Sequence, residues 1–207
     1  SGNPTFRYSL IDGVKDGYLV NPIVVDARTD ITTELLSEKG YSVMVETEEG
    51  KEEEMLFFQR DFEKKFYSDE TNRVFCKTFM ENALKDQLSN EIGKSIIYCV
   101  SQNHASKVTQ ILNEFAALLY PGKYKSDFAV QVTSTIPDAQ QFAINFSDKN
   151  NNLNGRTEFI EGYKSSKTRV CVTVGMMTTG YDCQDILNLC MMRPIFSPTD
   201  FIQIKGR

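Results

Sequence analysis

At 207 residues, with 41% hydrophobic and 25% charged residues and a net charge of −5, the chain has the balance of a globular protein with one sizeable core. No apolar stretch approaches the ~20 residues that span a bilayer, and the N-terminus SGNPTFRYS lacks the basic-then-apolar order of a signal peptide, so a cytoplasmic, membrane-free protein is expected. Five cysteines without C-x-x-C spacing and a single histidine argue against a zinc centre and for reduced thiols, most of them in apolar runs.

The charge is uneven. Residues 1–90 hold 18 Asp and Glu against 11 Lys and Arg, whereas residues 91–207 hold 10 against 12. Much of the excess sits in Glu46 to Glu54, a self-repelling run expected at a solvated loop or hairpin tip. A free nucleic-acid-binding module would show a basic face. Any such contact is therefore expected in a groove shared with other domains.

Along the first ninety residues, 1–22 read as a linker and Ile23 to Ala27 as a strand entering the main sheet. Tyr41 to Glu46 and Glu54 to Phe57 read as a hairpin across the acidic tip. Ser68 or Asp69 then caps a helix in which Phe75, Phe79, Ala83 and Leu84 recur at helical spacing, so 41–90 form an insertion.

Beyond residue 90 strands and helices alternate. Ser95 to Val100 is a short apolar run of the buried parallel type, and Ser101 caps a helix with Val108, Ile111, Leu112, Phe115 and Leu119 on one face, stopped by Pro121-Gly122. Phe128 to Val132 is a second strand, and Pro137 starts a helix to about Phe146. Asp148 to Gly155 is a loop by composition, and a short helix with Phe159 and Ile160 follows. Arg169 to Val174 and Leu187 to Met192 are further strands, and Ser197-Pro198 opens a last helix. The alternation predicts an α/β fold with a mostly parallel sheet and right-handed crossovers.

Ligands of such sheets bind beyond the carboxyl ends of the strands. The loop Met177 to Cys183, MTTGYDC, follows a strand there, and Gly180 lets backbone approach a ligand while Thr178 and Thr179 offer donors to phosphate oxygens. A tight turn that satisfies its own backbone is the alternative.

Thr178-Thr179-Gly180 with Asp182 resembles motif V of superfamily 2 helicases, and Gln203-x-x-Gly206-Arg207 resembles the opening of their motif VI. The resemblance is strongest to the motor (R) subunit of type I restriction enzymes. There Tyr8-Ser9-Leu10 and Asp16 to Val20 look like the segment joining two motor domains, Lys94 to Ala105 like motif IV, and Leu189 to Pro194 loosely like an L-R-P strand end.

The resemblance implies a RecA-like second motor domain over 23–207, cut inside motif VI at Arg207, which would work with ATP and Mg²⁺ held mainly by a first motor domain. Arg207 and Gln203 would be catalytic, and Gly180, Asp182 and Gly206 would lie towards the nucleotide. Thr178, Thr179, Ser134, Thr135 and His104 would face the backbone of double-stranded DNA. A satisfied surface imidazole at His104 and a plain helix cap at Ser134-Thr135 are the bland readings. Specificity and methyltransferase subunits would be the partners of the intact enzyme, and an RNA or repair helicase domain or a non-enzymatic α/β binding module are the rival identities.

Gly93-Lys94-Ser95 looks like the end of a Walker A loop, but Leu88 stands where its glycine belongs and the strand follows the lysine. No DExx box follows an apolar strand. The chain alone is thus expected neither to hydrolyse ATP nor to cut DNA. Lys164, Lys167 and Arg169 form a basic cluster whose default reading is a solvated loop.

Overall fold

The computed structural model describes residues 8–24, 69–87, 89–135, 139–147, 168–176, 183, 185–193 and 204. Four strands, β1 (Lys94–Cys99), β2 (Ala129–Gln131), β3 (Val170–Thr173) and β4 (Ile186–Met192), form one sheet in the order β2-β3-β1-β4. Every pairing is parallel, with Ile96 beside Cys171 on one flank of β1 and beside Leu189 on the other. This is the expected α/β class, with a parallel sheet flanked by helices.

Alternation along the central strand decides which helices go where. Ile97 and Cys99 point to one face, where they meet Val108, Ile111, Leu112 and Ala116 of a long helix over Gln102–Leu119 and Cys76, Phe79 and Met80 of a helix over Asp69–Asn82. Ile96 and Tyr98 point to the other, against Phe142, Ala143 and Phe146 of the helix Ala139–Ser147 and against Ile204. With α1 assigned to Leu10–Lys15, these helices are α2 (Asp69–Asn82), α3 (Gln102–Leu119) and α4 (Ala139–Ser147). Burial on both faces explains why β1 and β3 read as mainly apolar runs instead of alternating ones.

The caps are where the sequence puts them. Ser101 Oγ accepts the His104 N–H at 3.2 Å and starts α3. The helix stops at Leu119, just before Pro121-Gly122, and Gly122 takes a φ of 75° that suits glycine. Asn188 on β4 accepts from the Leu84 N–H at 2.8 Å and donates to Leu84 O and Ser95 Oγ at 3.1 Å, tying β4 to the connector that leads into β1.

Several expectations need correction. Ile23 and Val24 are exposed and form no strand, so the start of the expected Ile23–Ala27 strand is not part of the described sheet. Residues 10–15, inside the segment read as a linker, form the helix α1, opened by a capping box in which Ser9 and Asp12 bond reciprocally, which leaves the linker reading as it stood. Leu119 and Leu84, placed on apolar faces by spacing, are 57% and 46% exposed because both lie where their helices end. Arg169 is buried at the entry to β3, not solvated; its N–H donates to Phe128 O at 2.9 Å and its C=O accepts from the Ser95 N–H at 2.8 Å. The hairpin expected over 41–57, the helix near Phe159, Pro137, Lys164, Lys167 and the Ser197-Pro198 helix start lie outside the described residues.

Candidate functional site

Because all four strands run the same way, the segments that leave their carboxyl ends share one edge. Val100 to Gln102 leave β1, Val132 to Thr135 leave β2, Val174 to Met176 leave β3 and Arg193 leaves β4. Polar side chains gather there. Gln131 Nε2 donates to Gln102 O at 3.2 Å and to Thr133 Oγ1 at 3.4 Å, Thr133 Oγ1 lies 3.3 Å from Thr135 Oγ1, and the Thr135 hydroxyl donates to Gln102 Oε1. Thr133 is buried, whereas Ser134 and Thr135 are exposed. The strand exit thus displays two hydroxyls on a braced turn.

The exit of β3 is shaped by Thr173, whose Oγ1 donates to Met176 O at 3.3 Å, and by Gly175, around which a Cβ would meet nothing within 4 Å. Arg193 reaches this turn from β4, with Nη1 donating to Val174 O at 3.1 Å and its guanidinium 5.9 Å from the centre of the Tyr98 ring. Hydroxyls, turn backbone and a guanidinium on one rim suit phosphate oxygens. Among the described residues no group of three His, Cys, Asp or Glu is placed to hold a metal ion.

His104 does not face this rim. It is buried, its Nδ1 accepts the Val100 N–H at 3.3 Å, and its Nε2 lies 3.0 Å from Asn72 Oδ1, so the proton is on Nε2. Burial, with the charge of Lys107 adding to it, pushes the imidazole down to about 4. The expectation of a DNA-facing or surface histidine is corrected: the ring is a neutral brace joining α2, α3 and the end of β1.

Thr178, Thr179, Gly180, Asp182, Gln203, Gly206 and Arg207 lie outside the described residues. Their flanks are described. Met176 precedes the threonine-glycine loop, and Cys183, which follows it, is buried with its thiol donating to Asp185 Oδ1 at 3.1 Å. Ile204 is helical and fully buried against Ile96 and Tyr98.

Lys94 opens β1 at the opposite, amino-terminal edge, with Nζ bonded to Phe146 O at 2.6 Å and to Asp185 Oδ2 at 2.9 Å, so it is far from any P-loop geometry. All five cysteines are free thiols, and burial pushes Cys76, Cys183 and Cys190 up to about 12, which leaves them poor nucleophiles.

Sequence reasoning passed over Gln102, Gln131 and Thr133, and took Arg193 only as part of an L-R-P-like strand end. The last had a signal: a charge placed directly at the carboxyl end of the apolar run Ile186–Met192 is positioned for the ligand edge of a parallel sheet.

No family model matches the chain. It is 27% identical over 215 residues to the type I restriction enzyme EcoKI endonuclease subunit of Escherichia coli strain K12, and 24% identical over 206 residues to the EcoAI endonuclease subunit of Escherichia coli. Both alignments take in 100% of this chain, but only 17% and 23% of those relatives. A fragment described as an HsdR subunit of a type I restriction enzyme from Vibrio vulnificus YJ016 superposes on 76% of the chain and 25% of its own length, with a TM-score of 0.48 at 20% identity. The homologues of this chain are therefore type I restriction enzyme endonuclease subunits, of which it spans less than a quarter.

Proposed function

We propose that the chain is the second RecA-like half of the ATP-dependent DNA translocase in a type I restriction enzyme. The observation that carries this reading is the topology, in which every strand exit, and with it the root of the threonine-glycine loop and the hydroxyl turn of β2, gathers at one edge of a parallel sheet. The similarity to endonuclease subunits of that enzyme class supports it.

ATP bound between two motor domains supplies the phosphoryl group. The donors of this chain suit its oxygens, while Mg²⁺ would be held by acidic residues of the other domain. Arg207 would stabilise charge on the transferring group from across the cleft, a contribution of ~10³ to 10⁵ in rate for such a residue. Its planar donors match phosphate better than an ammonium does. Gln203 would orient groups at the same site, with Gly180, Asp182 and Gly206 lining it. Thr178, Thr179, Ser134 and Thr135 would hold DNA phosphates, which makes binding independent of sequence and sensitive to salt. Opening and closing of the cleft would then move duplex DNA. Nuclease chemistry, and the specificity and methyltransferase partners, would belong to other parts of the complex. The chain alone would be inactive.

The test is Arg207→Ala in the full-length polypeptide. Duplex DNA should stimulate ATP hydrolysis without strand separation in the parent, and the substitution should lower turnover by ~10³ or more. Stimulation by RNA instead of duplex DNA would assign the domain to a helicase of another kind. Unchanged turnover in the variant would leave an α/β binding module.

A further inference from the structure

Four hydrogen bonds at the exits of β1 and β2 form a ring that begins and ends on Gln102. A backbone carbonyl can only accept, so the bond to Gln102 O fixes Nε2 as the bonded atom of the Gln131 amide, and its second proton goes to Thr133 Oγ1. Thr133 Oγ1, accepting there, passes its own proton to Thr135 Oγ1 at 3.3 Å, and the Thr135 hydroxyl donates to Gln102 Oε1. A hydroxyl has one proton, so Thr135 has none left for a ligand. The Gln102 oxygen is likewise engaged, which leaves the Nε2 protons as the donors this side chain offers outward. Gln102 and Thr135 are both exposed, so water would satisfy them without any ring, and holding a glutamine still costs side-chain entropy. What the ring achieves is orientation: a planar amide donor set in place before a ligand arrives.

We propose that the Gln102 carboxamide is the group that holds a phosphate oxygen of duplex DNA where β1 and β2 leave the sheet, with Gln131 and Thr135 as its positioning residues. The proposal rests on the reading that DNA phosphates lie along the exit of β2, and within that reading Thr135 acts through Gln102. The chemistry fits phosphate because the outward face of the amide is all donor, and a bond from N–H to an anionic oxygen is about twice as strong as one between neutral groups. Ser134, exposed beside Thr135, adds a hydroxyl on the same turn. An amide on a phosphate fixes the DNA backbone in register and reads no base, so the contact is independent of sequence. Being neutral, it adds affinity without adding to the salt dependence that lysine and arginine create by releasing counterions.

The experiment measures Kd for a pair of duplex DNAs of unrelated sequence, over a range of salt, in the full-length polypeptide carrying Gln102→Ala, Gln102→Lys, Thr135→Val or Thr135→Ser, with melting temperatures alongside. Gln102→Ala should weaken both duplexes alike, by about 10-fold or more, and leave the slope of log Kd against log salt unchanged. Gln102→Lys puts a cation at the same phosphate and should steepen that slope by about 0.9. Thr135→Val keeps the side-chain shape but breaks the ring, so it should weaken binding by about 3- to 10-fold, and Thr135→Ser should restore most of the loss. The assignment is overturned if Gln102→Ala and Gln102→Lys bind as the parent does, or if only one duplex is weakened, which would put the amide on a base edge. It is equally overturned if Thr135→Val binds normally, or if its loss follows a lower melting temperature and Thr135→Ser does not restore binding. A parent that binds duplex DNA while all four variants match it removes only the role of Gln102, whereas a parent that does not bind duplex DNA removes the underlying reading as well.

Discussion

Lys94 and Asp185 meet at 2.9 Å with unequal access to water, the lysine side chain 1% exposed and the aspartate 29%. The asymmetry decides which partner is harder to lose. Asp185→Ala strands an ammonium whose described partners would be Phe146 O at 2.6 Å and the Phe146 ring 5.2 Å away, a loss of about 3–5 kcal/mol for a broken buried pair. Lys94→Met leaves a carboxylate that water reaches and fills the lysine slot with apolar bulk, so it should cost only about 1–2 kcal/mol. Urea midpoints of the two variants compare them, and equal losses would contradict the asymmetry. Burial pulls the Asp185 carboxyl upward, but the hydrogen bond and charge of Lys94 outweigh it and hold it below the usual range. Its stabilising contribution is therefore full above the ordinary aspartate value and fades as the pH falls through the lower folded value.

His104 gives stability a second, separate dependence on pH. The folded protein holds the imidazole at about 4, whereas an unfolded chain protonates near 6.5. Between those values the unfolded state binds the extra proton, so stability falls as the pH drops through that window, by up to roughly 3 kcal/mol at the acid end. His104→Gln removes the titration and keeps a polar group near Asn72 Oδ1. Its stability at neutral pH should be lower than that of the parent, and its slope between pH 6.5 and 4 shallower. Parallel slopes in the two proteins would mean that some other group titrates.

The parts of the fold readable from the sequence are those whose signal is local. The runs Ser95–Val100 and Arg169–Val174 are mainly apolar because helices cover both faces of the sheet, and Ser101 caps α3 through its own hydroxyl. Longer-range facts were hidden. The burial of His104 depends on Asn72, which comes 32 residues earlier in a segment read as an insertion, yet Cys76, Phe79 and Met80 of that segment enter the core. The reach of Arg193 depends on β1 lying between β3 and β4, an order that no spacing along the chain encodes. The carboxyl edge itself was legible, since strands alternating with helices imply parallel pairing and a shared exit.

Gly93 supplies a test of packing at the amino-terminal edge. A Cβ built there would stand 2.5 Å from Leu187 Cδ1 and 2.7 Å from Leu187 Cβ. The outer carbon can swing away, because Leu187 is 42% exposed, but the Cβ is fixed to the β4 backbone. Gly93→Ala should therefore push β4 off the entry to β1 and cost about 1–3 kcal/mol, as overpacking does. The double variant Gly93→Ala, Leu187→Ala removes the flexible atoms and leaves the Cβ clash, so it should recover only part of the loss. Leu187→Gly in the same background should recover more. Full recovery with alanine would show that the side-chain tip, and not the backbone approach, sets the limit.

At the other end of the sheet Asn113 acts as a substitute strand. Phe128 O accepts from the Val170 N–H at 3.0 Å, so the neighbouring Ala129 turns its own backbone groups away from β3. Asn113 Nδ2 donates to Ala129 O at 2.8 Å, and the Ala129 N–H donates to Asn113 Oδ1 at 3.1 Å. Among the described residues β2 is an edge strand, which invites pairing with another chain, and the amide from α3 blocks it at this residue. Asn113→Leu leaves a buried N–H and C=O unsatisfied and should cost about 1–3 kcal/mol. Asn113→Asp is more telling. Its carboxylate can accept from the Ala129 N–H but opposes Ala129 O, so the folded state favours the protonated acid, which donates and accepts as the amide did. The folded pKa is then raised, and the variant should gain on the parent as the pH falls towards the acid side. Urea midpoints for parent and variant at neutral and mildly acid pH give the difference directly, and a gap that stays constant with pH would mean that Ala129 O does not oppose the charge.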